Sequence, residues 1–249
     1  MNREPEIIKM LNENTTISVK EICSKLFISE ATARRDLTTL SNKGLVTRTY
    51  GGVMINSQSA DKRTPLFMRE KDMPSIKKKL AQKASQLIHN GDVIILDAST
   101  SAFCILPYLE MFKDLIILTS GVKTAMALSH MNIKTFCTGG LVINESYSYI
   151  GMSAINTVKE FNANIMFFSC SGISEEGYLT DTSQAENDLR KEMMKHSKRK
   201  VLLLDNTKID QGHWNILCHI SNIDDVFCNV KFPEKINAPN TKFHIIDND

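Results

Sequence analysis

The sequence predicts an α/β protein in two parts: a small N-terminal domain of three helices and a basic ribbon, then a larger domain on an open, mostly parallel sheet. Three observations lead there. Residues 29–52, SEATARRDLTTLSNKGLVTRTYGG, combine a capped helix carrying an Arg-Arg pair, a Lys-Gly stop and a basic strand pair. Residues 57–74 are polar, hold two prolines and lack clear periodicity. Beyond them, short apolar runs alternate with helix-length stretches. A chain of 249 residues accommodates one large or two ordinary domains. The expected division is 1–56, a linker over 57–74, and 75–249.

In the first part, Ile7, Ile8 and Leu11 give an apolar stripe to a helix from about residue 4 to 12. Ser18-Val19-Lys20-Glu21 fits a capping box, in which the Ser hydroxyl and the Glu carboxylate satisfy each other's backbone amides. It opens a second helix with Ile22 and Leu26 inward. Ser29 is an N-cap for the third helix, where Ala33, Leu37 and Leu40 recur at helical spacing. That spacing turns Thr32, Arg34, Arg35, Thr39 and Lys43 away from the core. Gly44 suits the left-handed residue that ends a helix. Residues 45–50 then return through 53–55 as a two-stranded ribbon, so the part reads as a winged helix-turn-helix. A helix of this kind fits the DNA major groove while the ribbon holds phosphates. Ser29, Thr32, Arg34, Arg35, Lys43, Arg48, Tyr50 and Gly51 are the expected DNA-contacting residues.

In the second part, apolar runs at 93–96, 115–118, 133–136, 165–168, 201–204, 226–228 and 243–246 read as strands covered on both faces. Stretches 76–88, 99–109, 122–130, 153–161 and 185–197 are long enough for crossover helices. The result is a Rossmann-like sheet, in which ligands sit beyond the carboxyl ends of the strands. Those ends are small and polar: Asp97-Ala98-Ser99-Thr100-Ser101, Thr119-Ser120-Gly121, Thr138-Gly139-Gly140, Ser169-Cys170-Ser171-Gly172 and Asp205-Asn206-Thr207-Lys208. Each alone is an ordinary turn. Together on one rim, with Asp first and Lys last, they suit a small, phosphorylated, hydroxyl-rich ligand. The turn 99–101 is the expected phosphate seat, with Lys208 adding charge and Asp97 and Glu186 facing sugar hydroxyls.

The net charge of +2 does not by itself suggest nucleic acid; its clustering in 29–52 does. A second basic cluster, 62–83 with Lys77-Lys78-Lys79, reads as a solvated helix face. The six cysteines form no CxxC pair and no His lies at matching spacing, so neither a metal site nor a cofactor is expected. Most of them read as small core residues. With no apolar leader and no run long enough to span a bilayer, a cytoplasmic protein is expected.

These residues together resemble the DeoR family of bacterial sugar-metabolism repressors over nearly the whole chain. The N-terminal likeness lies in the serine-opened helix, Arg34-Arg35-Asp36-Leu37, the Gly turn and the wing ending Gly51-Gly52. The C-terminal likeness runs through 91–97, 99–101, Thr119-Ser120, Gly139-Gly140, Gly151, Gly172, Glu186 with Arg190, and 204–208. The resemblance implies a sensor domain similar to ribose-5-phosphate isomerase and coenzyme A transferases. It also implies operator DNA as partner, a phosphorylated sugar or related intermediate as effector, and a homo-oligomer. The effector-binding set then expected is Asp97, Ser99, Thr100, Ser101, Thr119, Ser120, Gly139, Gly140, Gly172, Glu186 and Lys208. Several positions depart from the family pattern. Tyr50 stands where His is common, Asn164 where Asp is, Ser169 where Gly is, Ser120 where Asn is, and Ala98 and Ser99 where glycines are.

Two other functions fit parts of the chain. A sugar-phosphate isomerase or transferase with a DNA-binding appendage would need a carboxylate poised for proton transfer. Asp97 and Glu186 are the candidates, but an Asp-rich loop expected after the fourth strand is replaced by Ser169-Cys170-Ser171-Gly172. A nicotinamide-binding domain would need GxGxxG after the first strand, which is missing.

Overall fold

The computed structural model describes residues 3–14, 16–42, 46–49, 52–55, 66–232 and 236–247. The chain divides into two compact units, 1–62 and 63–249.

The first unit contains α1 (Glu4–Asn14), β1 (Thr16–Ser18), α2 (Val19–Leu26), α3 (Glu30–Asn42), β2 (Val46–Thr49) and β3 (Gly52–Ile55). Its core is the apolar set read from periodicity: Ile7, Ile8, Leu11, Ile22, Ala33, Leu37 and Leu40 are all buried. Ser18 and Glu21 form the full capping box, the Ser18 amide donating to Glu21 Oε2 at 2.9 Å and the Glu21 amide to Ser18 Oγ at 3.2 Å. The turn to α3 passes through Phe27, left-handed at φ 52°. One strand was not expected. β1 adds antiparallel to β3, giving the sheet order β1-β3-β2. Gly52 is required by that pairing, because a Cβ there would stand 2.7 Å from the Ile17 carbonyl oxygen.

The second unit begins with α4 (Leu66–Lys71), which lies inside the expected linker. Its six residues are too few to show a period, and tertiary contacts hold it. Leu66 is buried, its amide donates to the Glu145 carbonyl at 2.9 Å, and Lys77 Nζ donates to the carbonyls of Arg69 and Asp72 at 2.6 Å each. Lys77 is therefore buried rather than part of a solvated face; Lys78 is exposed as expected. Burial, and then the neighbouring Lys208, hold the Lys77 ammonium below its usual pKa.

The remaining elements run α5 (Pro74–Ala84), β4 (Val93–Leu96), α6 (Thr100–Phe103), α7 (Leu106–Leu109), β5 (Ile116–Thr119), α8 (Val122–Leu128) and β6 (Lys134–Cys137). Then come β7 (Leu141–Ile143), β8 (Ser148–Ile150), α9 (Met152–Lys159), β9 (Ala163–Phe168), β10 (Gly172–Ile173) and β11 (Tyr178–Asp181). The chain ends with α10 (Gln184–Lys195), β12 (Ser197–Leu204), β13 (Asn215–His219), β14 (Asp225–Cys228) and β15 (Lys242–Ile245). The seven apolar runs are the seven strands of one sheet, ordered β15-β14-β12-β9-β4-β5-β6. Each neighbouring pair in it is parallel. Alternate residues face two cores. Ile94, Leu96, Ile165, Phe167, Val201 and Leu203 pack under α5, α6 and α7, whereas Ile95, Met166, Phe168, Leu202 and Leu204 pack under α9 and α10. The crossover expected at 99–109 is broken into α6 and α7, because Pro107 has no amide to continue the first helix.

Two additions to the sheet were not read from sequence. One is the β7-β8 hairpin; the other is an antiparallel sheet ordered β10-β11-β13. The chain leaves β4 toward β5 and β6, but leaves β9 in the opposite direction toward β12. The topological switch point, where such sheets open a crevice, is therefore between β4 and β9. Gly140 is the tightest point of the hairpin's base. It has φ +107° and its missing Cβ would lie 2.3 Å from the Ile150 carbonyl oxygen. Gly140→Ala should lower stability by at least about 1–3 kcal/mol from backbone strain alone, measured as a drop in the thermal midpoint of the full chain.

Candidate functional site

In the first unit the site is one face of α3 with the ribbon beside it. Ser29 Oγ accepts the Thr32 amide at 3.3 Å and lies 3.0 Å from the Thr32 hydroxyl, so the helix start is fixed by its own side chains. With Ala33, Leu37 and Leu40 buried, Arg34, Arg35, Thr38 and Thr39 are left exposed. Arg34 meets Glu30 at 3.5 Å, both side chains being more than half exposed, a pair that solvent screens and a phosphate can displace. Asp36, the second acidic residue of this stretch, is bound 2.8 Å from Arg3 Nε and ties α3 to the start of α1. Arg48 Nη1 donates to the Thr38 hydroxyl at 3.5 Å, which brings the ribbon's charge onto the α3 face. Lys20, which the sequence reading did not select, joins Arg34 and Arg48 along one shallow recess. Its place in the capping box was the available signal. Lys43, Tyr50 and Gly51 lie outside the described residues.

In the second unit the polar strand ends do converge on one rim, and two small recesses open there. The first, with about 220 Å³ of open space, is lined by Ser99, Thr100, Lys123 and Thr124 among others. The second, about 210 Å³, is lined by Asp97, Ser120, Ser148, Glu186 and Arg190 among others. Ala98 borders both, and the Ser146 and Ser148 hydroxyls, 3.1 Å apart, join them. The β7-β8 hairpin brings those serines over the rim: the Val122 amide donates to Tyr147 and the Tyr149 amide to Ser120, each at 2.8 Å.

Arg190 organises this rim, and it was outside the expected effector-binding set. It is buried, with Nε 3.2 Å from Asp97 Oδ2 and Nη1 3.3 Å from Asp181 Oδ2 and 2.6 Å from Asn187 Oδ1. Burial opposes the guanidinium charge, but Asp181 and then Asp97 outweigh it and hold the pKa above its ordinary value. Asp97 Oδ1 accepts the Ser99 amide at 3.0 Å, so the same carboxylate shapes the loop above. Asp97 thus receives three protein donors while it still lines the second recess. Glu186 Oε1 accepts the Ser148 hydroxyl at 2.7 Å at the recess wall. The spacing of Glu186 and Arg190, one helical turn apart on α10, was the one sequence signal for the pair.

Other expected residues are placed differently. Ser101 is buried beneath the rim, and Thr119 Oγ1 accepts the Gly121 amide at 3.0 Å. Gly139, at φ +64°, and Gly140 form the base of the hairpin. Gly172 lies in β10, where a Cβ would meet the Gln211 carbonyl oxygen at 2.0 Å. Lys208 is outside the lining of both recesses. Its Nζ donates to the Ser169 hydroxyl at 2.7 Å and stands 3.7 Å from Asp205. Serine at 169 supplies that partner, and Asn164 likewise accepts the Val93 amide at 2.9 Å. Trp214 is exposed, its indole donating to the Thr182 carbonyl at 3.0 Å. The Cys170 thiol, pushed up to about 12 by burial, is unsuited to nucleophilic work. Among the described residues, no group of three or more His, Cys, Asp or Glu is placed to hold a metal ion. No described helix is long and apolar enough to cross a membrane.

Both units match known domains in the order the geometry implies. Residues 3–59 match the DeoR-like helix-turn-helix domain and residues 73–229 the DeoR C terminal sensor domain. The chain belongs to the DeoR family. This DeoR-family chain is 33% identical to the HTH-type transcriptional regulator GolR of Listeria innocua, over 89% of the chain and 87% of that protein. It is 29% identical to the L-fucose operon activator of Haemophilus influenzae, over 94% of each. It is 26% identical to the lactose phosphotransferase system repressor of Staphylococcus aureus, over 98% of each. A solved ribose 5-phosphate isomerase A of Methanocaldococcus jannaschii is similar at 17% identity with a TM-score of 0.41, over 55% of this chain and 54% of that one. The chain is a DNA-binding regulator of transcription, not an enzyme.

The buried charge set makes a direct prediction. Removing one partner of a buried ion pair strands the other, at a cost of about 3–5 kcal/mol. Arg190→Ala leaves Asp97 and Asp181 without their shared cation and should lower stability by that order in urea unfolding. Arg190→Lys should not restore it, since one ammonium cannot reproduce the fork that meets three acceptors.

Proposed function

We propose that the protein represses a carbohydrate-utilisation operon and that a phosphorylated sugar bound at the rim controls its hold on the operator. The observation that carries this reading is the pair of adjoining recesses at the carboxyl ends of β4 and β5, walled by hydroxyls and by Lys123 and Arg190. Their lining is mostly hydroxyl-bearing and charged, which suits a small polar metabolite. Hydroxyls of Ser99, Thr100 and Thr124 on one side favour an anionic group. Ser120, Ser148 and Glu186 on the other favour a polyol. The lactose phosphotransferase system repressor, 26% identical, supports repression. The L-fucose operon activator, 29% identical, favours activation as the second reading.

The α3 face supports operator binding by Arg34, Arg35 and Arg48, with Thr32 beside them. A single winged unit covers a short site, so the protein is expected to act as a homo-oligomer on half-sites about one helical turn, or a multiple of it, apart. Replacing the arginine that reads a base should cost about 1–3 kcal/mol and relax specificity at one position. Arg48→Ala should weaken all sequences alike and make the salt dependence shallower. Mobility-shift titrations at several salt concentrations measure both. Wild-type affinity in both Arg34→Ala and Arg35→Ala would remove α3 from the groove.

Control by a ligand is tested by titrating the operator complex with a panel of sugar phosphates and the same sugars without phosphate. Release by a phosphorylated member alone is the expected result, and Thr100→Val should raise the concentration needed. Tighter operator binding would establish the activator-like reading. Release by the neutral sugar at the same concentration would overturn the phosphate assignment.

A further inference from the structure

The cations near the rim differ in how freely they can change partners. Arg190 is tied between two buried carboxylates, and Lys208 is tied to Ser169 and Asp205. Lys123 is different. It follows Gly121 at the edge of the first recess, pairs with Glu70, and sits 4.8 Å over the centre of the Phe103 ring. The Lys123 and Glu70 side chains keep 46% and 31% of their exposure, so water reaches the pair and it exchanges readily. Both residues line the recess beside Ser99, Thr100 and Thr124.

Glu70 comes from α4, a helix of six residues whose described contacts include the Leu66 amide to the Glu145 carbonyl, Lys77 to the carbonyls of Arg69 and Asp72, and Glu70 to Lys123. In sequence, α4 is also the first described element after the DNA-binding unit.

We propose that Lys123 is the anion-binding residue of the first recess and that Glu70 competes with the effector for it, so that bound phosphate and the Glu70–Lys123 pair exclude each other. The inference rests on the reading of the rim as a sugar-phosphate site and assigns its charge. A phosphate monoester carries more negative charge than a carboxylate and offers three acceptor oxygens. It takes the ammonium with the hydroxyls of Ser99, Thr100 and Thr124 around it. Two anions cannot share one exposed ammonium without repulsion, so Glu70 is expelled and α4 loses its attachment at that side.

The test uses calorimetry on the full chain with inorganic phosphate, ribose 5-phosphate and glucose 6-phosphate as probes. Lys123→Met should weaken the probe that binds by about tenfold or more, as loss of a charge-assisted bond does. Glu70→Gln should tighten it by about threefold, the scale of an exposed ion pair, a gain that misfolding does not produce. The double variant should match Lys123→Met. Hydrogen exchange over 66–72 should rise with phosphate in the wild type and be raised already in Glu70→Gln. Binding that is unchanged in either single variant overturns the competition and leaves the sugar-phosphate reading standing. Failure of every probe to bind the wild type overturns that reading and this inference with it.

Discussion

Arg190 is buried between Asp97, at the end of β4, and Asp181, at the end of β11, with Asn187 as a third acceptor. The rest of the ligand rim depends on this contact. The chain leaves β4 and β9 in opposite directions at the switch point, and the Ser169 amide after β9 also points to Asp97, at 3.4 Å. One carboxylate thus receives the guanidinium, the start of its own loop and the end of the neighbouring strand. Such a cluster is stable only when every charge is answered, because an unpaired ion in the interior loses its hydration with nothing in return. The positions of Ser99 and Thr100 above it follow from that requirement.

The cations of the rim differ in how deeply their partners are buried. Serine at 169 engages Lys208, and the pairing of Lys208 with Asp205 keeps that carboxylate ionised: burial opposes its charge, but Lys208 and the Thr207 hydroxyl outweigh it and lower its pKa. Arg190 serves the scaffold. At the solvent-reachable edge stands Lys123, opposite a carboxylate from α4. A rigid floor and an exchangeable edge are what a sensor needs, since a ligand shifts an equilibrium only through interactions that differ between states.

The DNA-binding unit shows the same economy of charge. Asp36 would oppose phosphates if it were exposed beside Arg34 and Arg35, but Arg3 binds it. Thr38 and Thr39 turn their hydroxyls onto the carbonyls of Arg34 and Arg35, at 2.8 and 3.2 Å, and leave the arginines outermost. The wing, anchored through Gly52 against β1, carries Arg48 to the same face.

Local chemistry determined much of this protein from its sequence. A strand covered on both faces must be apolar throughout, so the central strands of the large sheet were visible as runs; the edge strands β6 and β15, expected to be covered too, are largely exposed. A capping box is complete within four residues, so Ser18 and Glu21 marked α2. Asp97, Ser99, Thr100 and Ser120 were legible as a rim because the carboxyl ends of parallel strands lie along one edge of the sheet. The tertiary structure decided the rest. β1, β10 and β7 are two or three residues long, and nothing periodic fits in that length. Whether Lys77 is buried, Asp97 meets Arg190 or Lys123 meets Glu70 depends on partners distant in sequence; Asp97 and Arg190 are 93 residues apart, and Lys123 and Glu70 are 53. Residue type tells which groups can carry charge. Only the packing decides which of those charges are already answered, and so which remain for a ligand.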